Sequence, residues 1–253
     1  MSESLESVRE GRVLRLILNR PDQRNALNAQ LCRALTTAIE GADRDPTVGA
    51  ILLAGRGKGF CAGMDLKEAG SGDTGELAAV HERLFTLGFR ISKPLIAAVH
   101  GAALAGGTGL VANCHIVIAT ADSTFGLTEV RIGLWPFLVF RAVSMALGER
   151  RTVELALTGR IFNGAEAHEM DLVHEIAADA DRRSREVAEL VAGFSPTAIQ
   201  SGLRFVHESR GLDWKAAGAV GQAARNQVFH SPDFQEGLKA FREKRSPRWP
   251  SLG

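Results

Sequence analysis

The sequence predicts an α/β fold in which a strand–strand–helix unit repeats, followed by a helical C-terminal region. Two observations carry this expectation. Short apolar runs at residues 49–55 (GAILLAG), 94–100 (PLIAAVH) and 115–120 (HIVIAT) share one loose pattern, an apolar run, then a glycine or acidic turn, then a helix or loop. From about residue 137 onward the hydrophobic spacing is mainly helical.

In chain order, residues 13–18 alternate apolar and charged positions and stop at Asn19-Arg20-Pro21, a half-buried strand ending in a turn. Asn28 is placed to cap a helix carrying Leu31, Leu35 and Ile39 on one face. The run 49–55 reads as a buried strand and leads into a glycine-rich loop at 56–65. Residues 68–75 hold four glycine or serine residues and are expected to be a mobile loop. A helix is expected over about 76–90, a buried strand at 94–100, a second glycine-rich loop at 101–109 and a further strand at 115–120. Stretches 142–147, 152–157, 165–170, 182–192, 197–206 and 214–228 suit helices, with Pro196 and Pro232 at helix starts. Two parts follow, an α/β core over 1–195 and a helical region over 196–253.

Composition narrows the function. The chain has 253 residues, 45% of them hydrophobic, ample for one large core. A net charge of +1 gives no reason to expect nucleic acid or an anionic membrane as partner. Cys32, Cys61 and Cys114 form no CxxC and no even-numbered framework, so they read as reduced thiols. The polar N-terminus lacks an apolar or Arg-rich leader, and a cytoplasmic protein is the expectation. The histidines form no pair at ligand spacing, so no metal is expected. No GxSxG elbow is present.

The chemistry concentrates in two segments, residues 60–66 (FCAGMDL) and 100–110 (HGAALAGGTGL), each following a short apolar strand. Glycine there permits sharp bends and close backbone approach to a ligand. Such loops entering helices can aim two N–H groups at one oxygen. Taken as single loops, both could equally be ordinary turns.

These segments resemble the F-x-A-G-x-D-L and N-G-x-A-x-G-G-G motifs of the crotonase (enoyl-CoA hydratase/isomerase) family. NRPDQRNALN (19–28), FGLTEVRIGL (125–134) and FREKRSPRW (241–249) are similar to three further signatures of that family, in the same order along nearly the whole chain. The resemblance implies a spiral of ββα units with a C-terminal helical trimerisation region, assembling as a homotrimer or a hexamer built as a dimer of trimers. It implies an acyl-CoA substrate, with coenzyme A part of the substrate and no separate cofactor. By position, the amides of Met64 and Gly106 would form the oxyanion hole for the thioester oxygen. Ala62 would meet the adenine amino group, and Asp65 and Leu66 belong to the same coenzyme A-binding motif. Arg24 would contact phosphate, and Lys244 would reach the coenzyme A of a neighbouring subunit. Taken alone, Arg24 and Lys244 read as solvated surface charges.

Hydratases of the family use two glutamates. The position of the first is Gly109 here, and that of the second is Glu129. One carboxylate suffices to move a proton between two carbons, so the pattern favours double-bond isomerisation of an enoyl-CoA over hydration. Alternatives are hydration with one glutamate, as in methylglutaconyl-type hydratases, another enolate reaction such as decarboxylation or thioester hydrolysis, or a non-catalytic acyl-CoA-binding protein. Glu129 could instead be a structural partner of Arg131 or Arg141. In the run 134–140 bulky apolar residues stand where the family pattern has glycines, and Trp135, Phe137 and Phe140 either reshape the acyl pocket or pack the core. Residues 107–112 (GTGLVA) also match a dinucleotide-binding fingerprint, with Glu129 about twenty residues on.

Overall fold

The computed structural model describes residues 4–70 and 74–252. Its strands are β1 (Leu5–Glu10), β2 (Val13–Leu18), β3 (Ala50–Gly55), β4 (Leu95–Val99), β5 (Ala102–Leu104), β6 (Ile116–Ala119), β7 (Thr124–Gly126), β8 (Phe162–Asn163) and β9 (Glu175–Ile176). The helices are α1 (Ala29–Arg44), α2 (Leu66–Ala69), α3 (Thr74–Phe85), α4 (Gly106–Ala112), α5 (Phe137–Leu147), α6 (Glu149–Thr158), α7 (Gly164–Glu169), α8 (Ala180–Ala192), α9 (Pro196–Glu208), α10 (Trp214–Phe229) and α11 (Pro232–Glu243).

A large sheet runs in the order β1-β2-β3-β4-β6-β9, antiparallel between β1 and β2 and parallel elsewhere. β3 and β4 are unbroken apolar runs because both of their faces are covered. Ile51, Leu53, Leu95, Ala97 and Val99 join the main core, while Ala50, Leu52, Ala54, Ile96 and Ala98 pack with Ala188 and Ala192 of α8. A small sheet holds β5, β7 and β8.

The repeat expected from the sequence is present. After each inner strand of the large sheet the chain makes a second, shorter pairing segment. β2 is followed by Leu27, β3 by Cys61 and Met64, β4 by β5, and β6 by β7. Leu27 bridges Met64, Cys61 bridges Ala103, and β5 pairs with β7, all in parallel. Successive turns of a spiral therefore lie side by side, and the segments that carry the sequence motifs touch.

Local chemistry accounts for most boundaries. The Asn28 side chain accepts from the Leu31 amide at 3.0 Å, capping α1, whose Leu31, Cys32, Leu35 and Ile39 are buried. Pro196 and Pro232 open α9 and α11 behind the capping serines Ser195 and Ser231. Two expectations change. Residues 66–69 form the short helix α2 where part of a loop was expected, and residues 71–73 of that stretch lie outside the described residues. The second glycine-rich loop is β5 followed by the first turn of α4, since tight packing at its glycines outweighs their poor helix propensity. The GTGLVA fingerprint thus sits inside α4 rather than on a strand-to-helix turn. A Cβ on Gly107 would come within 2.2 Å of the Cys61 carbonyl oxygen, so its glycines serve internal packing.

Beyond α8 the character changes. α9 and α10 bury no residue, and Trp214 and Phe241 are 97% and 84% exposed. Asp233 ties this region together, accepting from the Ser195 hydroxyl at 2.5 Å and the Ser251 hydroxyl at 2.7 Å. Cys32, Cys61 and Cys114 are buried free thiols. No helix among the described residues is long and apolar enough to cross a membrane.

Candidate active site

The second segments of consecutive turns are laced edge to edge. The Cys61 amide donates to Ala102 O at 2.9 Å, the Leu104 amide to Cys61 O at 3.0 Å, and the Ala105 amide to Gly126 O at 2.8 Å. The Thr108 hydroxyl donates to Ala103 O at 2.7 Å and accepts from the Gly126 amide at 3.1 Å. From the other side, the buried amide of Asn25 donates to the carbonyls of Arg56, Gly59 and Phe60 at 2.9–3.0 Å. Asn25 itself sits at φ 55°, a left-handed conformation that asparagine tolerates better than most residues.

Two of the amides that this lacing leaves over are those of Met64 and Gly106. Leu27 donates to Gly63 O at 2.7 Å and accepts from the Asp65 amide at 3.1 Å. These bonds bracket Met64, whose N–H faces away from Leu27 and has no partner among the described residues. Gly106 is the first residue of α4, so its N–H has no acceptor within the helix. Gly63, at φ 92°, lets the two segments close on each other, since a Cβ there would fall 2.8 Å from Leu104 O and 3.0 Å from the Gly106 nitrogen. Ala105 is held at φ 51°, ψ −119°, a conformation disfavoured for any residue with a Cβ. Strained conformations of this kind cluster at active sites and ligand clamps.

Both segments line a cavity of about 470 Å³. Ala62, Met64, Leu66, Ala105 and Gly106 form one wall, and Leu77, His81 and Phe85 of α3 form a second. The third is formed by Thr128, Glu129, Ile132 and residues 134–139. Glu129 opens a 3₁₀ turn over Glu129–Ile132 and is 8% exposed. Its Oε2 has no hydrogen-bond partner, and it joins no ion pair among the described residues. Neither Arg131 nor Arg141 neutralises it, so the structural ion-pair alternative is not what the site contains. Burial among apolar side chains pushes its pKa up to about 7. A carboxyl group poised near neutrality in the same cavity as two unpartnered amides is suited to taking and giving a proton while a substrate oxygen carries negative charge.

The other sequence-predicted residues divide. Ala62 and Leu66 line the cavity with Met64, Gly106 and Glu129. Asp65 does not. Its carboxylate pairs with Arg20 at 2.9 Å and caps α2, which keeps it in the scaffold. Arg24, exposed and in the left-handed region, receives the Ala62 amide on its carbonyl and so lies beside the motif. Lys244 ends α11, exposed, and does not line its own chain's cavity. Trp135 and Phe137 line the cavity, whereas Phe140 stacks behind Trp135 with centroids 6.2 Å apart.

Sequence reasoning missed His81. It is 4% exposed, lines the cavity, and approaches Leu27 O with Nε2 at 3.3 Å. A carbonyl only accepts, so Nε2 carries the proton there. Burial pushes the pKa down, keeping the ring neutral. The available signal was its place at i+4 between Leu77 and Phe85, one polar member in an apolar helical stripe.

An α/β spiral that sets two unpartnered amides and a buried, unpaired carboxyl along one cavity has the character of an enzyme. The sequence model of the family described as Enoyl-CoA hydratase/isomerase matches residues 9–251, and the chain belongs to that family. It is 34% identical to the enoyl-CoA hydratase EchA19 of Mycobacterium tuberculosis, over 95% of this chain and 94% of the relative. It is 33% identical to the mevalonyl-coenzyme A hydratase sidH of Aspergillus fumigatus, over 94% and 91%. Among solved structures, an enoyl-CoA hydratase from Bacillus anthracis superposes with TM-score 0.94 at 28% identity, covering 98% of this chain and 99% of that one. One from Mycobacterium tuberculosis H37Rv superposes with TM-score 0.90 at 35% identity, covering 99% and 100%. The fold is the crotonase fold.

Proposed function

We propose that the protein moves the double bond of an enoyl-CoA thioester, with Glu129 as the single acid–base group. The carboxylate takes the C2 proton of a 3-enoyl-CoA. Negative charge passes to the thioester oxygen, held by the Met64 and Gly106 amides, and the same carboxyl returns the proton to C4, leaving the conjugated 2-enoyl product. Each donor of this type contributes about 2.7–4 kcal/mol to a barrier in a well-studied case. The observation that carries the reading is Glu129 itself, unpaired, buried, with its pKa near 7, in the same cavity as both amides. A carboxylate base must be ionised to act, so kcat/KM for isomerisation should rise with pH and level off above an apparent pKa near 7. A profile flat from pH 5 to 9 contradicts this assignment.

Hydration of a 2-enoyl-CoA is the second reading. The relatives named as hydratases favour it, and His81 offers a further polar group in the cavity. In either case coenzyme A is part of the substrate and no other cofactor or metal takes part. Ala62, Leu66 and Arg24 are assigned to the coenzyme A moiety, Asp65 to holding that loop through Arg20, and Lys244 to the coenzyme A of a neighbouring subunit. Residues 196–253 form the oligomerisation region of a trimer or a dimer of trimers, with residues 1–195 as the core that carries the site. Support comes from α9 and α10, which bury no residue and leave Val206, Trp214 and Phe229 exposed. A cytoplasmic location completes the reading.

A further inference from the structure

Position 109 lies in the middle of α4, where glycine costs about 1 kcal/mol relative to alanine. The neighbouring helix explains it. A Cβ on Gly109 would fall 2.2 Å from Cγ1 and 2.5 Å from Cβ of Val139 on α5. The valine branch thus stands where a side chain at 109 would begin. Gly109 does not line the cavity, but Val139 does. A side chain leaving position 109 would therefore run into Val139, a residue of the cavity wall.

We propose that Val139 is the residue that fixes the reaction outcome, by occupying the side-chain space of position 109 and leaving Glu129 the one carboxylate among the described residues that line the cavity. The inference rests on the reading of Glu129 as a lone proton shuttle. At that wall the cavity meets hydrocarbon, and a bound water needs two to four polar partners. Hydration by two carboxylates would place the second base at position 109. A carboxylate there would take a proton from water as its oxygen bonds to C3, while Glu129 gives its proton to C2, so that one water adds across the double bond. With Val139 in place that arrangement has no room, and the proton taken from C2 returns to C4.

The test uses Gly109→Glu, Val139→Gly and the pair, with hydration of a short trans-2-enoyl-CoA followed by loss of the conjugated-thioester absorbance. Gly109→Glu alone should lower Tm sharply, and adding Val139→Gly should recover part of the loss. Hydration by the pair should exceed that of Val139→Gly alone by about 100-fold, the scale of a general base. Should the glutamate pair fail to fold, Gly109→Ala decides through stability. Its Tm loss should shrink in the Val139→Gly background, and an equal loss in both backgrounds overturns the proposal. A folded pair with no gain in hydration also overturns it. Because the gain is a ratio between variants, absence of isomerisation in the unaltered protein would sink the preceding reading and leave this comparison decisive.

Discussion

Two of the cavity's three walls are unlike. The first is backbone, Ala62 to Leu66 and Ala105 to Gly106, fixed by buried hydrogen bonds and by glycines in contact with neighbouring main chain. The second is side chain, the apolar run through residues 134–139 with Ile132, several members of which still meet solvent, Phe137 at 73% exposure. The first wall must be accurate, because a donor displaced by an ångström no longer meets a developing oxyanion. The second sets the surroundings of Glu129 and, at Val139, the shape of the pocket. It can change residue by residue without moving the amides, and reaction and substrate are free to diverge there.

Gly63→Ala attacks the first wall. A methyl group would press on Leu104 O and the Gly106 nitrogen, and the φ of 92° would be strained as well. We expect kcat/KM to fall by about 100-fold or more, the scale of losing one oxyanion donor, and Tm to fall with it. An unchanged rate would break the claim that this contact aligns the two amides.

Asn25→Ala tests what holds that wall. Three carbonyls would lose a buried donor, and the Arg20 amide would lose its acceptor. At about 1–3 kcal/mol per buried orphan, and with partial relaxation, a loss of about 3 kcal/mol is expected, or a fall in Tm of about 6–12 °C. Thermal unfolding monitored by circular dichroism reads this directly, and a shift under 2 °C would assign the lacing to the remaining bonds.

Glu129→Gln sharpens the contrast from the second wall. The native carboxyl keeps its proton up to about pH 7, and its ordinary value is 4.5. As pH rises through that window the unfolded state releases its proton first, so the intact protein loses stability. The neutral amide avoids this. Its Tm should match the unaltered protein's at pH 4 and exceed it at pH 8, by the equivalent of up to about 3 kcal/mol. A lower Tm at both values would mean that the carboxylate is held by a partner. Phe137→Ala, at an exposed rim position, should change stability by less than about 0.5 kcal/mol while raising KM for longer acyl chains.

How much of this was legible in the sequence follows the same division. The backbone wall was readable because its demands fall on residue type. Glycine at 63, 106 and 107 and asparagine at 25 are written in motifs, and the bracketing of Met64 follows from those segments pairing in register. Glu129 was readable as a candidate, but its isolation was not, since an ion pair with Arg131 or Arg141 is equally consistent with the local sequence. Asp65 shares the motif with Met64, yet only the fold shows its carboxylate turned to Arg20. The glycine-rich stretch 101–109 reads as a loop by propensity, and from Gly106 onward helix wins through contacts with Cys61 and Val139 that no local pattern encodes. His81 and Val139 were out of reach for the same reason. Each acts across a helix–helix contact, and spacing along one helix says nothing of the distance to the next.

The most direct test of the single-carboxylate account is to mix the purified protein with a short trans-3-enoyl-CoA and follow the absorbance of the conjugated thioester, with Glu129→Gln alongside. The account predicts growing absorbance, and a rate at least about 100-fold lower in the variant. Absorbance that stays flat with the 3-enoyl substrate while that of the 2-enoyl ester falls, or a variant as fast as the unaltered protein, would contradict it.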